Sequence, residues 1–364
     1  MSRYLAITAL LEERLQRGDY TLRAFPSERR LADELEVSRL TVRKALGVLT
    51  ERGLLAERRP GRTPRGVGAG VRVGPPGAMQ LAFLMPPIVS HDVQLWQRGV
   101  EQAAMGFGAV LRTVTCAAWS DVVINDVLGN FDGVFLMNTG SDLPEAVIRQ
   151  ILASSTPVVS LTADLSAHDI PSVITFPRRC TDALFDHCVK LGHRRIACLN
   201  TYRMDAVVRE RIEDWQGYLA DRGLAGPLIN RPVGAGQSGT EAAHQAYAEV
   251  RRLLGADALG ATAIYCTAVW SALGATRAVR DHGLVVGRDV SVCCVNDEGL
   301  GEWQNPKLTC LRASDPTSLL APCVDWVAQR GSHWVGPKLI VPRQVPLYEG
   351  QSTGPAPEAP GRRS

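Results

Sequence analysis

From Met79 onward the chain alternates short, uninterrupted apolar runs with stretches of helical periodicity, and no other feature limits the fold as tightly. Apolar runs occupy 81–85, 109–114, 133–137, 158–161, 196–199, 263–266 and 290–295. Helical spacing of apolar residues falls between them, at 94–107, 145–153, 181–191, 207–222 and 271–282. A strand that is apolar on both faces needs cover on both, which predicts parallel sheets sandwiched by helices. The rhythm is played twice, so two doubly wound α/β lobes are expected, their strand ends meeting at a cleft. With 364 residues, 45% of them hydrophobic, the chain exceeds one compact core and has ample material for several.

The first seventy residues follow a different pattern. Residues 1–76 carry 15 Lys+Arg against 9 Asp+Glu, a charge of +6, while the remainder sums to −3. A compact basic module on a mildly acidic body points to a polyanionic partner for the module alone. Leu5, Ala9, Leu11 and Leu15 mark a first helix over 5–16. Ser27 then caps a short second helix with Leu31, Ala32 and Leu35 on its buried face, and Ser38 caps a third with Val42, Ala45, Leu46 and Leu49. Two short capped helices joined by a tight turn form a helix-turn-helix. The face opposite the core presents Arg39, Thr41, Arg43 and Lys44, side chains suited to guanine edges, phosphates and thymine methyls. Beyond Gly53 the stretch through Arg58, Arg59, Gly61, Arg62 and Arg65 reads as an arginine-loaded hairpin, a wing.

These residues resemble the GntR family of winged-helix regulators. The match runs through Pro26-Ser27-Glu28-Arg29, Leu31-Ala32, Val37-Ser38-Arg39, Thr41-Val42-Arg43-Lys44-Ala45-Leu46 and Leu49 to Leu55. The resemblance implies DNA contacts at Arg29, Ser38, Arg39, Thr41 and Arg43 and at Gly61 in the wing, with Lys44, Arg59 and Arg62 beside them. Glu36 departs from the family's usual glycine, and a non-glycine left-handed residue costs ~1–2 kcal/mol.

Gly and Pro dominate 64–77, a linker composition. Gly66-Val67-Gly68-Ala69-Gly70 imitates a dinucleotide fingerprint, but Val71 and the lack of a strand-to-helix unit speak against nucleotide binding. In the second half, Phe131-Asp132-Gly133-Val134, the segment Leu191-Gly192-His193-Arg194-Arg195-Ile196-Ala197 and the run from Val290 through Asn296-Asp297 to Leu308-Thr309 resemble the LacI/GalR sensor domain, itself similar to periplasmic sugar-binding proteins. Such a domain implies three chain crossings between lobes, with 309–330 rejoining the first. It also implies cleft roles for Arg211 and Asn296 from one lobe and for His91 and Asp92 from the other, with a plain helix cap as the alternative reading of Asp92. Where that family carries a polar pair after Cys266, this chain has Ala268-Val269-Trp270, so the pocket is expected to take a ligand less hydroxylated than a free hexose, or one stacked on Trp270. His193 reads as structural.

The expected organisation is an N-terminal winged helix-turn-helix at 1–67, a linker at 68–78, a two-lobed periplasmic-binding-protein-like sensing and dimerisation domain at 79–357, and a tail at 358–364. The combination resembles arabinose-type repressors that pair a GntR winged helix with a LacI-like sensor. It implies a cytoplasmic homodimer on double-stranded operator DNA, answering to a small molecule such as a sugar. A second reading keeps DNA binding but gives the rear domain only dimerisation. No Ser-His-Asp elbow, metal-ligand spacing or phosphate loop supports an enzyme, and no cofactor is called for. Nine cysteines without a C-x-x-C, several inside apolar runs, read as reduced thiols. No stretch has the length of a membrane span.

Overall fold

A computed structural model of the chain describes residues 3–16, 26–52, 54–55, 78–87, 90–138, 142–234, 237, 239–313 and 315–358. The expected wing, with Arg59, Gly61 and Arg62, lies outside these residues, as do the linker apart from Ala78 and the tail apart from Glu358.

The N-terminal unit is a triple of helices, α1 (Arg3–Gln16), α2 (Glu28–Glu34) and α3 (Arg39–Glu51). The Ser27 hydroxyl accepts the Arg30 amide at 3.3 Å and the Ser38 hydroxyl accepts the Thr41 amide at 3.1 Å. Each satisfies an amide that the first turn of a helix leaves without a partner. Leu11, Leu15, Leu31, Val42, Ala45 and Leu49 close the core between the three helices. The turn between α2 and α3 places Glu36 at φ +50°, the left-handed conformation expected from its position.

The first lobe holds β1 (Gln80–Met85), α4 (His91–Ala104), β2 (Val110–Thr115), α5 (Val123–Asn130), β3 (Gly133–Met137), α6 (Glu145–Ala153), β4 (Val158–Leu161) and β5 (Ser172–Val173). The second holds α7 (Asp182–Lys190), β6 (Ile196–Asn200), α8 (Ala206–Asp221), β7 (Leu228–Asn230), α9 (Gly239–Gly255), β8 (Ala263–Cys266), α10 (Val269–Asp281), β9 (Ser291–Val295) and β10 (Thr309–Leu311). The chain then returns to the first lobe for α11 (Thr317–Ala328) and β11 (Leu339–Ile340), and ends in the second with β12 (Leu347–Tyr348).

Each lobe is a six-stranded sheet, β11-β5-β4-β3-β1-β2 and β12-β10-β9-β8-β6-β7, parallel throughout except where β12 runs against β10. Side chains of successive residues go to opposite faces. Leu81 and Phe83 of β1 pack with α4 and α11, whereas Ala82 and Leu84 pack with α5 and α6. The second sheet divides likewise: Ala197 and Leu199 face α9 and α10, while Ile196 and Cys198 face α7 and α8.

The structure differs from the sequence expectation in several places, among them helix α5 and the short strands β5, β11 and β12, where no element was expected. Residues 309–311 do not rejoin the first lobe: they form β10 beside β9, and the crossing follows at 312–316. Helix α9 and the three-residue β7 were not expected at all. The α9 face against α10 is lined by Ala242 and Ala246, and a side chain at Gly274 would collide with the Ala243 carbonyl. With glycine and alanine at 239, 242 and 246, the apolar stripe of α9 gains large side chains only from Tyr247 through Val250 to Leu254, so its first turns carry a weak pattern. All nine cysteines are free, and eight of them are buried.

Candidate functional site

Two places gather the singled-out residues. In the N-terminal unit, Arg29, Ser38, Arg39, Arg43 and Lys44 are exposed on α2 and the start of α3, opposite the core. Thr41 is half-buried and its hydroxyl lies 2.8 Å from that of Ser38. The Arg43 guanidinium is held by Glu28 across the helix pair, Nε and Nη2 donating to the carboxylate at 3.2 and 2.9 Å. This fork fixes the direction of Arg43 while leaving it 63% exposed.

The second place is the cleft between the lobes, where a cavity of about 90 Å³ lies between the ends of β4, β6 and β9 and the starts of α4, α8 and α10. Asp92, Arg211 and Asn296 line it. Asn296 Nδ2 donates to Asp92 Oδ1 across the lobes at 3.1 Å, and Arg211 Nη1 donates to the Thr267 carbonyl at 2.7 Å. Its guanidinium lies 5.8 Å over the Phe176 ring. Two further bridges join the lobes at this mouth. Ser90 Oγ donates to Glu298 Oε2 at 3.1 Å, and Asp142 accepts from Arg209 Nη2 at 2.6 Å and from the Ala206 amide at 2.9 Å.

Burial pushes the Asp92 carboxyl above its ordinary range, against the opposing pull of the Asn296 hydrogen bond and the Arg211 charge. Burial, and next the charge of Asp92, raise Glu298, against the hydrogen bond from Ser90 and the amides of His91 and Asp92. Asn296, Glu298 and Thr162, all lining the cavity, hold φ of +55°, +48° and +73°. Non-glycine residues in this conformation cost of order 1–3 kcal/mol each and gather where function over-determines the backbone.

Two expected cleft residues stand elsewhere. Trp270 packs against the start of α9, where the missing side chain of Gly239 makes room for its indole, and the cavity wall is formed by Ala268 and Val269 instead. His91 is the exposed first residue of α4 and approaches Gly299 rather than the cavity. Asp92 both lines the cavity and lies in the first turn of α4, whose cap is Ser90: its hydroxyl accepts the Asp92 amide at 3.1 Å. Sequence reasoning missed Ser90, Tyr202, Asp205 and Glu298 in the lining. Asp205 announces itself as the residue before a helix, where its carboxylate accepts the Val208 amide at 2.9 Å. Glu298 had a weaker signal, its place in the polar loop after a buried strand. A second cavity, of about 320 Å³, shares Asp92 and Thr175 and is walled by Leu95, Trp96 and Pro316.

His193 is fully buried away from the cleft. Its Nδ1 lies 2.8 Å from Thr262 Oγ1, and its Nε2 3.0 Å from Ser291 Oγ and 3.1 Å from the Gly354 carbonyl, so the ring pins the C-terminal strap to β9. Among the described residues no group of three or more His, Cys, Asp or Glu is placed to hold a metal ion. Nor, among them, is any helix long and apolar enough to cross a membrane.

Residues 3–63 match the gntR family of bacterial regulatory proteins and residues 185–353 match a periplasmic binding protein-like domain. Among curated proteins, the chain is 26% identical over 182 residues to the probable HTH-type transcriptional repressor ExuR of Bacillus subtilis (strain 168), covering 50% of this chain and 53% of that one. It is 30% identical over 169 residues to the HTH-type transcriptional regulator MalR of Streptomyces coelicolor, covering 46% and 48%. The chain thus spans about half the length of the curated relatives it matches. Among solved structures, the lac repressor dimer bound to operator and the anti-inducer ONPF superposes with a TM-score of 0.61 at 22% identity, over 76% of this chain and 94% of that one. The LacI-family regulator CCPA of Weissella paramesenteroides with bound sucrose gives 0.63 at 20%, over 76% and 100%. The chain therefore joins a segment similar to the bacterial gntR family to a periplasmic binding protein-like domain with the fold of LacI-family regulators, the arrangement of a GntR/LacI hybrid.

Proposed function

We propose that this protein is an effector-responsive, DNA-binding transcription regulator of the repressor type, working in the cytoplasm as a homodimer and not as an enzyme. The observation that carries the reading is the cleft: Asp92 of one lobe and Asn296 of the other meet at a cavity that Arg211 also lines. The cavity has room for more than one water, for which ~10–15 Å³ is needed, and its polar lining suits a small polar molecule such as a sugar or related metabolite. Arg211 supplies a rigid donor fork for hydroxyls or a carboxylate. The exposed arginines of α2 and α3 supply the DNA-reading face, with Arg29, Ser38, Arg39, Thr41, Arg43 and Lys44 as its contacts, and Arg59, Gly61 and Arg62 as further contacts. Two copies are needed because one such helix reads too few bases for a specific site.

An effector that favours one lobe arrangement changes operator affinity by the same factor as operator changes effector affinity. The test selects bound sequences from a random duplex pool, then screens sugars and sugar acids by thermal shift and repeats the DNA titration with each that binds. A ligand that raises the melting temperature and alters DNA affinity supports the reading; one affinity with and without DNA overturns the coupling.

A second reading, a rear domain that only dimerises, is favoured by one observation. Ala268 and Val269 offer the cavity no polar side chain, and the lobes are already bridged by Asp92 and Asn296. Its mark is a melting temperature that no small molecule moves.

A further inference from the structure

The lobe-to-lobe contact is built from acids. Asp92 leaves the first turn of α4 in one lobe, and Glu298 leaves the loop after β9 in the other. Ser90 Oγ ties them: it accepts the Asp92 amide at 3.1 Å and donates to Glu298 Oε2 at 3.1 Å. The Glu298 carboxylate also lies against the amides of His91 and Asp92, so a residue of the second lobe occupies the N-terminus of a helix of the first. We propose that Asp92 and Glu298 make lobe closure proton-coupled: the cleft closes with uptake of a proton and opens as the pair gives it up, whether or not effector is present. The proposal rests on reading the cleft as the sensing site, but its test needs no effector.

The charged groups around the pair fix the sign. On α4 the neighbours are His91 and Asp92 themselves; from the segment between β6 and α8, Tyr202 and Asp205 line the same cavity, and Arg203 lies against Tyr202; from α8 comes Arg211. Next to Glu298, Asp297 is turned away, its carboxylate accepting the Gly301 amide at 3.1 Å and lying 3.6 Å from Arg312. Arg211 attracts Asp92 but hydrogen-bonds to the Thr267 carbonyl, and Arg209 is paired with Asp142. When the lobes part, both carboxylates regain water. When they meet, burial raises both above the ordinary carboxylate range, and the charge of Asp92 raises Glu298 further. The closed form therefore binds more protons than the open one, and acid favours closure. Protonation keeps the tie intact, because a serine hydroxyl has lone pairs for both the Asp92 amide and a Glu298 O–H. For one proton the closed-to-open ratio changes by up to about tenfold per pH unit.

The experiment is small-angle X-ray scattering of the full chain without effector, from pH 5 to pH 8 at constant ionic strength, with forward scattering confirming one oligomeric state. The wild type is expected to contract as pH falls. The double variant D92N/E298Q, neutral and nearly isosteric at both positions, is expected to stay at the compact value at every pH, and each single variant to keep only part of the response, with circular dichroism checking that each is folded. A wild type indifferent to pH, or a folded double variant that titrates as it does, overturns the proposal. Expansion in acid also overturns it, since that is the sign expected if the Asp142–Arg209 ion pair governed the mouth. A failed effector screen bears on the sensing reading and leaves this result standing.

Discussion

The proposed DNA-reading face and the cleft solve the same problem, holding polar groups in fixed directions, by opposite means. On the helix pair every candidate contact lies within sixteen positions of the next, and the devices that hold it are local: a serine cap three residues away for α3, and a glutamate one helix earlier for Arg43. In the cleft the partners are 204 and 208 residues apart, and the backbone itself is forced into left-handed conformations at Asn296 and Glu298. Locally held residues keep their geometry when the domain around them moves. Residues held across two lobes have their geometry only in one arrangement, which is what a switch requires.

The comparison breaks hardest on the helix pair. Arg39→Ala combined with Arg43→Ala is expected to lower specific DNA binding by ~2–6 kcal/mol if both contacts are base-reading and additive, read by fluorescence anisotropy. Thermal shift by an effector should be unchanged. Of the single variants, Arg43→Ala should lose more, because it also removes the cation beside Glu28. An equal loss of effector response would mean that the two regions are not separately held.

Next in size is Arg211→Ala. It should leave DNA affinity without effector nearly unchanged and remove the effector's influence on it, a coupling of ~1–3 kcal/mol, by paired titrations with and without operator. A variant that loses DNA binding outright would place Arg211 in the fold of the domain rather than in the switch.

Legibility divides along the same line. Ser27, Ser38 and the buried Leu31 and Val42 could be read from the sequence, because each is fixed by neighbours a few residues away, whereas the left-handed turn at Glu36 was read through the glycine that the resembling family has there. The strand runs were readable too, since a covered parallel strand is apolar at every position. In the cleft, Asp92, Arg211 and Asn296 could be singled out only through resemblance, and the structure places them together. Trp270 went astray because its surroundings are set by Gly239, thirty-one residues earlier, and nothing near Trp270 in the chain reveals the room left there. Glu298 escaped because nothing local tells a carboxylate that its partner will be Ser90 of the other lobe. Residues 309–311 were misassigned for a related reason: a three-residue strand has too little pattern to say which of two sheets it joins.

A smaller effect tests the local side alone. Ser38→Ala removes the α3 cap and should destabilise the N-terminal unit by ~1 kcal/mol, with a parallel loss of DNA affinity, while the melting of the two-lobed part is unmoved. Differential scanning calorimetry separates the two if they melt independently; a shift in the second transition would show that the unit's stability is shared.

The smallest effect tests the long-range side, through pH. Burial lowers the His193 pKa below 6.5, against the Gly354 carbonyl, which favours the charged ring; burial likewise lowers His187, against Glu349. A histidine depressed in the folded state binds its proton more readily once unfolded. Its contribution to stability is therefore whole above about pH 6.5 and falls as pH drops below it, with a slope of at most one proton. Asp92, Glu210 and Glu298 act in the opposite sense, since their raised pKa values make the folded state the better proton binder. The wild-type profile alone is thus a sum of opposing slopes, and a variant is needed to isolate the ring. His193→Gln cannot titrate, and it should lower the urea midpoint of the two-lobed part at pH 7.5 by leaving partners among Thr262, Ser291 and Gly354 unsatisfied. The gap between wild type and variant should then narrow at pH 5.5, because acid weakens only the wild type at this position. The first 90 residues contain no histidine, so the N-terminal unit should show no such narrowing. A gap that is constant between the two pH values would mean that the ring is not depressed, and that the strap is held by its backbone alone.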